Sequence, residues 1–321
     1  MDYKKIIKSR ETRVALLSML NFIPDKLTLK LQYYIKFGRK LDLKNPKRLT
    51  EKLQWYKLYY RTPLMTQCAG KNDVRQYVES KGLSHILNEQ LGVYDDVDQI
   101  NFDSLPNQFV IKETKGSSAE KVYVCTDKQA IDVVQIKAKI RPWVEKGINK
   151  LGENALRRRN AGREWAYNGI DSKLVVEKYI DSSNCKNGLL SYKIFCFNGE
   201  PRFVYIIADV KDGYYDAGYG IYSTDFARLP YNRVGEVALT WEEEKPENWD
   251  EMMEIARTLS SEFPHVRVDL YNVQGKIIFG ELTFYNDSGY MKYDPDEFDF
   301  ISGDMFQLPE KIQKIDIRRG E

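Results

Sequence analysis

Residues 266–290, VRVDLYNVQGKIIFGELTFYNDSGY, read as two short strands around a turn at Gln274-Gly275, with one acidic side chain on each. Asp269 and Glu281 stand in otherwise apolar surroundings, where a carboxylate is costly unless something positive meets it. Two chemistries satisfy them: a structural ion pair with Arg267, or a pair of carboxylates holding a divalent metal. Alternation puts Val266, Val268 and Leu270 on one face and Arg267, Asp269 and Tyr271 on the other. Beyond the turn it places Ile277, Phe279 and Glu281 together.

A second stretch, KETKGSSAEKV, sets Lys112 at the end of a strand and Gly116, Ser117 and Ser118 in the following turn. Small residues let backbone N–H groups converge on phosphate oxygens, and a lysine adds charge. The spacing is not that of a P-loop, and a strand follows where that motif has a helix. In VVEKYI, Glu177 and Lys178 sit at a strand end, where a carboxylate can accept from an adenine amino group. Only two histidines, His85 and His265, and four cysteines without C-x-x-C spacing argue against a zinc site or a Cys/His nucleophile. They suit a reducing compartment.

The elements that must position these groups follow from periodicity and breakers. Helices are expected over 11–20, 26–37, 49–60 and 70–81, separated by Pro24, Pro46 and Pro63. Strands are expected at 108–112, 121–125 and 173–180, and a hairpin at 191–210 turning at Asn198-Gly199. A long polar helix spans 127–147, a basic loop follows, and an amphipathic helix NWDEMMEIARTLSSEF precedes the acidic hairpin. With 321 residues, 42% of them hydrophobic, the chain can bury a core in two or three subdomains. No apolar run is long enough to span a bilayer, and the basic N-terminus lacks a signal-peptide cleavage site.

Charge is uneven. Residues 1–61 hold 16 Lys+Arg against 5 Asp+Glu, a net of +11; the remainder hold 33 against 42, a net of −9. The N-terminal part is therefore expected to meet something anionic, with a solvated helical face as the alternative.

In order, Lys71, Lys112 with its Gly-Ser-Ser loop, VVEKYI, SYKIF, RVD and GELT resemble the ATP-grasp superfamily of carboxylate–amine ligases. NPKRLTEKLQWYKLYYRTPL, LPNQFVIK, GREW, FCFNGEPRF and the acidic hairpin resemble one branch, the TupA-like ATP-grasp proteins of teichuronopeptide and capsular polysaccharide biosynthesis. The resemblance covers about residues 25–305. It implies an α+β ATP-grasp fold: two α/β subdomains, 106–182 and 183–305, clasping ATP, after a basic helical region 1–62 and linker helices 63–105, with a tail 306–321.

By position it implies that Lys71 and Lys112 hold ATP phosphates beside Gly116, Ser117 and Ser118. Glu177, Lys178 and the backbone around Ile180 take the adenine; Asp269, Glu281 and Thr283 bind Mg²⁺; Arg267 and Lys193 neutralise the transferring phosphoryl group. Thr283 stands where the superfamily commonly has Asn, and Asn286 is an alternative ligand. Ser191 replaces the Asp that often precedes "YK", and Gly70 replaces the Asp that usually precedes Lys71.

The resemblance further implies ATP and Mg²⁺ as cofactors and an amide formed through an acylphosphate. It joins a uronic-acid carboxylate of an envelope glycan or its precursor to an amino acid or amino alcohol. Tyr214, Tyr215, Tyr219 and Tyr222 are candidates for stacking on sugar rings, and RRRNAGR (157–163) for meeting an anionic glycan. Such a protein is expected in the cytoplasm, in peripheral contact with an anionic membrane and without nucleic acid. The rival reading is a glycosyltransferase, for which Asp294-Pro295-Asp296 is a D-x-D match.

Overall fold

A computed structural model describes residues 23–115, 121–144, 162–168, 170–208 and 218–312. The expected helix 11–20, the Gly116-Ser117-Ser118 turn, most of the basic loop, Tyr214 and Tyr215 lie outside them. Seven α-helices are described: α1 (Asp25–Phe37), α2 (Leu49–Tyr59), α3 (Pro63–Ala69), α4 (Val74–Ser80), α5 (Val133–Val144), α6 (Trp249–Ser260) and α7 (Phe298–Asp304).

Two antiparallel-rich sheets organise the chain. The first runs β1 (Gln90–Tyr94), β4 (Leu174–Lys178), β2 (Phe109–Glu113), β3 (Val122–Cys125). The second runs β11 (Lys276–Thr283), β10 (His265–Val273), β5 (Ser191–Phe197), β6 (Glu200–Ile207), β7 (Gly218–Ser223), β9 (Val237–Ala238). A two-stranded patch pairs β8 (Asn232–Arg233) with β12 (Tyr293–Asp294).

In the first sheet Phe109, Ile111, Leu174 and Val176 share a face and pack with Ile136, Ile140 and Val144 of α5. Lys112 and Glu177 fall on the opposite face by alternation. The strand β1 lies in a segment read from sequence as helical linker; QLGVY is too short to show a period. The long polar helix begins at Val133 instead of 127, because Asp127 accepts from Gln129 N–H and starts a separate short turn.

The expected helix 70–81 is also broken. Gly70 is extended at φ −83°, ψ 124° and bridges to Lys115, and Lys71 N–H donates to Thr114 O at 3.1 Å. The interruption carries Lys71 to the edge of the first sheet.

In the second sheet, Tyr192, Ile194, Val204, Val266, Val268 and Leu270 face α6, whose Met252, Ile255, Ala256 and Leu259 complete the core. The other face is divided. Its lower part, with Phe195, Phe197, Phe203 and His265, is roofed by Tyr56 of α2 and by Phe306. Its upper part carries Lys193, Arg267, Asp269, Glu281 and Thr283.

His265 illustrates how dry the roofed part is. Its ring is fully buried, stacks on Phe197 at 4.8 Å, and its Nδ1 lies 3.0 Å from Cys196 O, while Nε2 has no partner. With Nδ1 as donor the imidazole is neutral, and burial pushes its pKa down to about 3. In the unfolded chain the same ring takes a proton near pH ~6.5. Below that pH the unfolded state binds a proton that the native state refuses, so stability falls as pH falls. His265 should contribute a loss of about 1.4 kcal/mol per pH unit between about pH 6 and 4. Urea unfolding of the wild type and of His265→Phe across this range should show a flatter profile for the variant; parallel profiles would refute a buried neutral ring.

Candidate active site

The upper face is centred on Arg267, which is 6% exposed. Its Nε donates to Asp269 Oδ1 at 2.6 Å and its Nη2 to Asp269 Oδ2 at 2.7 Å, a bidentate pair. Nη2 also reaches Glu281 Oε1 at 3.1 Å and Thr283 Oγ1 at 3.0 Å, while Nη1 donates to Asn286 Oδ1. Lys193, directly across from Asp269 on β5, donates to Oδ2 at 2.7 Å. Burial alone would raise the Asp269 pKa, but Arg267 and Lys193 hold it below the ordinary carboxylate value. The ion pair considered from sequence is thus present, and Glu281 lies beside it.

How Glu281 arrives there was not visible in the alternation. Asp269 pairs with Glu281 but Leu270 pairs with Phe279, so Gly280 is an extra residue in β11. Strict alternation keeps Phe279 and Glu281 on one face; the bulge separates them, Phe279 toward the core and Glu281 toward Asp269. Space there is tight: a Cβ at 280 would sit 3.0 Å from Asp269 O and 3.3 Å from the Tyr271 ring.

Beyond β11 the chain enters a tight turn with left-handed φ at Asp287 (44°), Ser288 (55°) and Gly289 (68°). Such backbone persists only where its surroundings impose it. Here α2 does so. Lys57, fully buried, donates to Ser288 O at 2.7 Å, Ser288 Oγ at 2.8 Å and Gly162 O at 2.8 Å, and Gln54 Nε2 donates to the carbonyls of Ser288 and Gly289 at 3.0 Å. Burial lowers the Lys57 pKa to about 8, with nearby Glu164 opposing the shift. Arg233 pairs with Asp287 at 2.7 Å from the other side. Lys57, Arg233 and Asp287 were missed in the sequence. The available signal was a lysine at 57 on the same helical stripe as Leu53, Tyr56 and Tyr60.

The first sheet contributes a second group. Lys112 Nζ lies 2.7 Å from Glu177 Oε2. Burial lowers the Lys71 pKa and the attraction of Glu281 opposes it, with Lys112, Glu113 and Glu177 also in electrostatic range. Lys71, bonded beside the end of β2, is therefore within electrostatic range of the Lys112–Glu177 pair and of Glu281.

Other sequence candidates lie elsewhere. Lys178 points away, 62% exposed and 3.2 Å from Glu89; Ile180 lies two residues past the end of β4. Tyr219 is on the site face of β7, whereas Tyr222 is buried on the opposite one. Arg163 is buried against Thr28 and Asp25. Asp296 of the D-x-D match is bound to Arg39 and Arg48 at the surface, at 3.2 and 2.6 Å.

Among the described residues no three His, Cys, Asp or Glu side chains converge. A divalent ion here would be held by two carboxylates and neutral oxygens. Asp269, Glu281, Thr283 Oγ and Asn286 Oδ1 are all hard oxygen donors, and each carboxylate oxygen has lone pairs beyond those that Arg267 engages. That set fits Mg²⁺, which needs few protein ligands when phosphates and water complete its shell.

A family model for TupA-like ATP-grasp proteins matches residues 51–307. No curated protein sequence matches the chain. Among solved structures, D-alanine–D-alanine ligase from Bacillus anthracis aligns at 16% identity and TM-score 0.41, covering 69% of this chain and 59% of that one. L-amino acid ligase from Bacillus licheniformis aligns at 12% identity and TM-score 0.42, covering 84% and 55%. The chain thus spans under two thirds of the length of either.

Because Asp269 is buried between two cations and Glu281 is a quarter exposed, their substitutions should differ in stability. Asp269→Asn leaves Lys193 without its counter-charge and Arg267 with Glu281 alone, and should cost about 3 kcal/mol. Glu281→Gln keeps an acceptor for Arg267 and should cost less than about 1 kcal/mol. Urea titration of both variants checks this; equal losses would mean that Asp269 is not the counter-charge that holds the cluster.

Proposed function

The chain belongs to the TupA-like ATP-grasp family, and from that membership we propose that it is an ATP-dependent, ADP-forming ligase that joins a carboxylate to an amine. What supports the reading is the charge each sheet carries: Lys112 paired with Glu177 on one, Asp269, Arg267, Lys193 and Glu281 clustered on the other, with Lys71 in electrostatic range of both.

ATP supplies the phosphoryl group that makes the carboxylate an acylphosphate, from which the amine displaces phosphate, and Mg²⁺ supplies charge for the phosphates. The chain's own residues do the positioning. Asp269 and Glu281, with Thr283 or Asn286, would hold the metal; Lys71 and Lys112 would present ammonium groups to phosphate oxygens, together with Gly116, Ser117 and Ser118. Glu177 accepts from the adenine amino group when Lys112 turns from it to the phosphates, and the backbone at Lys178 and Ile180 lines the base. Lys193 and Arg267 bring positive charge to the transferring group without moving, because packing and hydrogen bonds already fix them.

The carboxylate is that of a uronic acid in an envelope or capsular glycan or its precursor, and the amine is an amino acid or amino alcohol. The support is the family's place in polysaccharide biosynthesis and Tyr219 on the site face of β7. A glycosyltransferase is the weaker reading, because Asp296 of one D-x-D match is engaged by Arg39 and Arg48, and Asp98 of the other, Asp96-Val97-Asp98, by Arg141 and Lys137.

With ATP, Mg²⁺, a uronate and hydroxylamine in place of the amine, the protein should yield a uronyl hydroxamate and ADP in equal amounts. Glu281→Gln should lower the rate by about a hundredfold or more while the fold persists. A glycosyltransferase would consume no ATP and give no hydroxamate. AMP and pyrophosphate would point to an adenylate and overturn the acylphosphate.

A further inference from the structure

The helix α1 has two apolar faces. Thr28, Leu29 and Tyr33 are buried, with Tyr33 Oη 2.9 Å from Thr50 Oγ1. On nearly the opposite side Leu27, Leu31, Tyr34 and Ile35 are 58, 49, 56 and 43% exposed. At about 100° per residue these four form one stripe about 12 Å long, flanked along one edge by exposed Lys26 and Lys30. The helix is tied down by its buried face and by Asp25, which pairs with Arg61 at 3.4 Å. The stripe is thus a fixed surface.

We propose that this face of α1 docks on an anionic lipid bilayer, with Leu27, Leu31, Tyr34 and Ile35 entering the interface and Lys26 and Lys30 meeting lipid phosphates. An interfacial helix combines such a stripe with flanking lysines. The surrounding charge has the same sense, since residues 1–61 carry a net of +11. A polyanionic glycan would satisfy the lysines and leave the leucines in water. A second copy is disfavoured by size and charge. The stripe offers a few hundred Å², against roughly 800 Å² per partner in a stable dimer, and it would bring like charges together. The inference is independent of the ligase reading.

Flotation of the full chain with vesicles tests it. Binding is expected to vesicles with about one third phosphatidylglycerol but not to phosphatidylcholine alone, and it should fall steeply between about 0.05 and 0.3 M salt. Leu27→Ser with Leu31→Ser should weaken binding by about tenfold or more, and Lys26→Glu with Lys30→Glu should weaken it on anionic vesicles. All four positions face solvent, so the urea midpoint should not move. No flotation of the wild type would overturn the proposal, as would serine variants that float like the wild type. So would a concentration-dependent dimer abolished by the serine pair, or binding to a soluble polyuronate but not to vesicles.

Discussion

A buried guanidinium must be surrounded by acceptors, and in this molecule that demand organises everything near the site. Arg267 cannot lose its charge, so each of its donating nitrogens needs an oxygen. Asp269, Glu281, Thr283 and Asn286 provide them, from two adjacent strands and the turn beyond. The bulge at Gly280 turns Glu281 and Thr283 toward the arginine, and the left-handed turn at 287–289 returns Asn286 to it. Lys57 and Gln54 hold that turn from α2, so a helix far from the acidic hairpin in sequence helps fix its geometry.

The same arrangement suits chemistry on phosphates. Lys193, Arg267, Lys71 and Lys112 would repel one another in a dry cleft if they stood alone. Each has a carboxylate close by in the folded chain: Asp269 for the first two, Glu281 for Lys71 and Glu177 for Lys112. A metal and nucleotide bound as proposed would enter a site whose charges are already matched. The two halves of that charge set come from different sheets. The extended backbone at Gly70, which breaks the helical run, holds Lys71 beside the end of β2.

The N-terminal helices have two surfaces with different work. The inner one, through Lys57, Gln54 and Tyr56, braces the turn and roofs the aromatic part of the large sheet. The outer one presents lysines and an apolar stripe.

By itself the sequence determined the family, the two acidic strands and their turn, and the strand carrying Lys112, because these depend on local alternation, turn residues and motif order. Asp269 and Lys112 could be singled out because a charged residue in an apolar strand is conspicuous at short range. Only the tertiary structure decided that Glu281 faces Asp269, since one extra residue at Gly280 reverses a period-two pattern and leaves no mark in composition. It likewise decided that Lys57 is buried among carbonyls and that Lys71 is bonded to the backbone at Thr114. Both depend on partners more than 40 residues distant, Gly162, Ser288 and Thr114, and no local periodicity reports a partner so far along the chain. A residue's type limits what it can do; the groups that fold against it select among those possibilities.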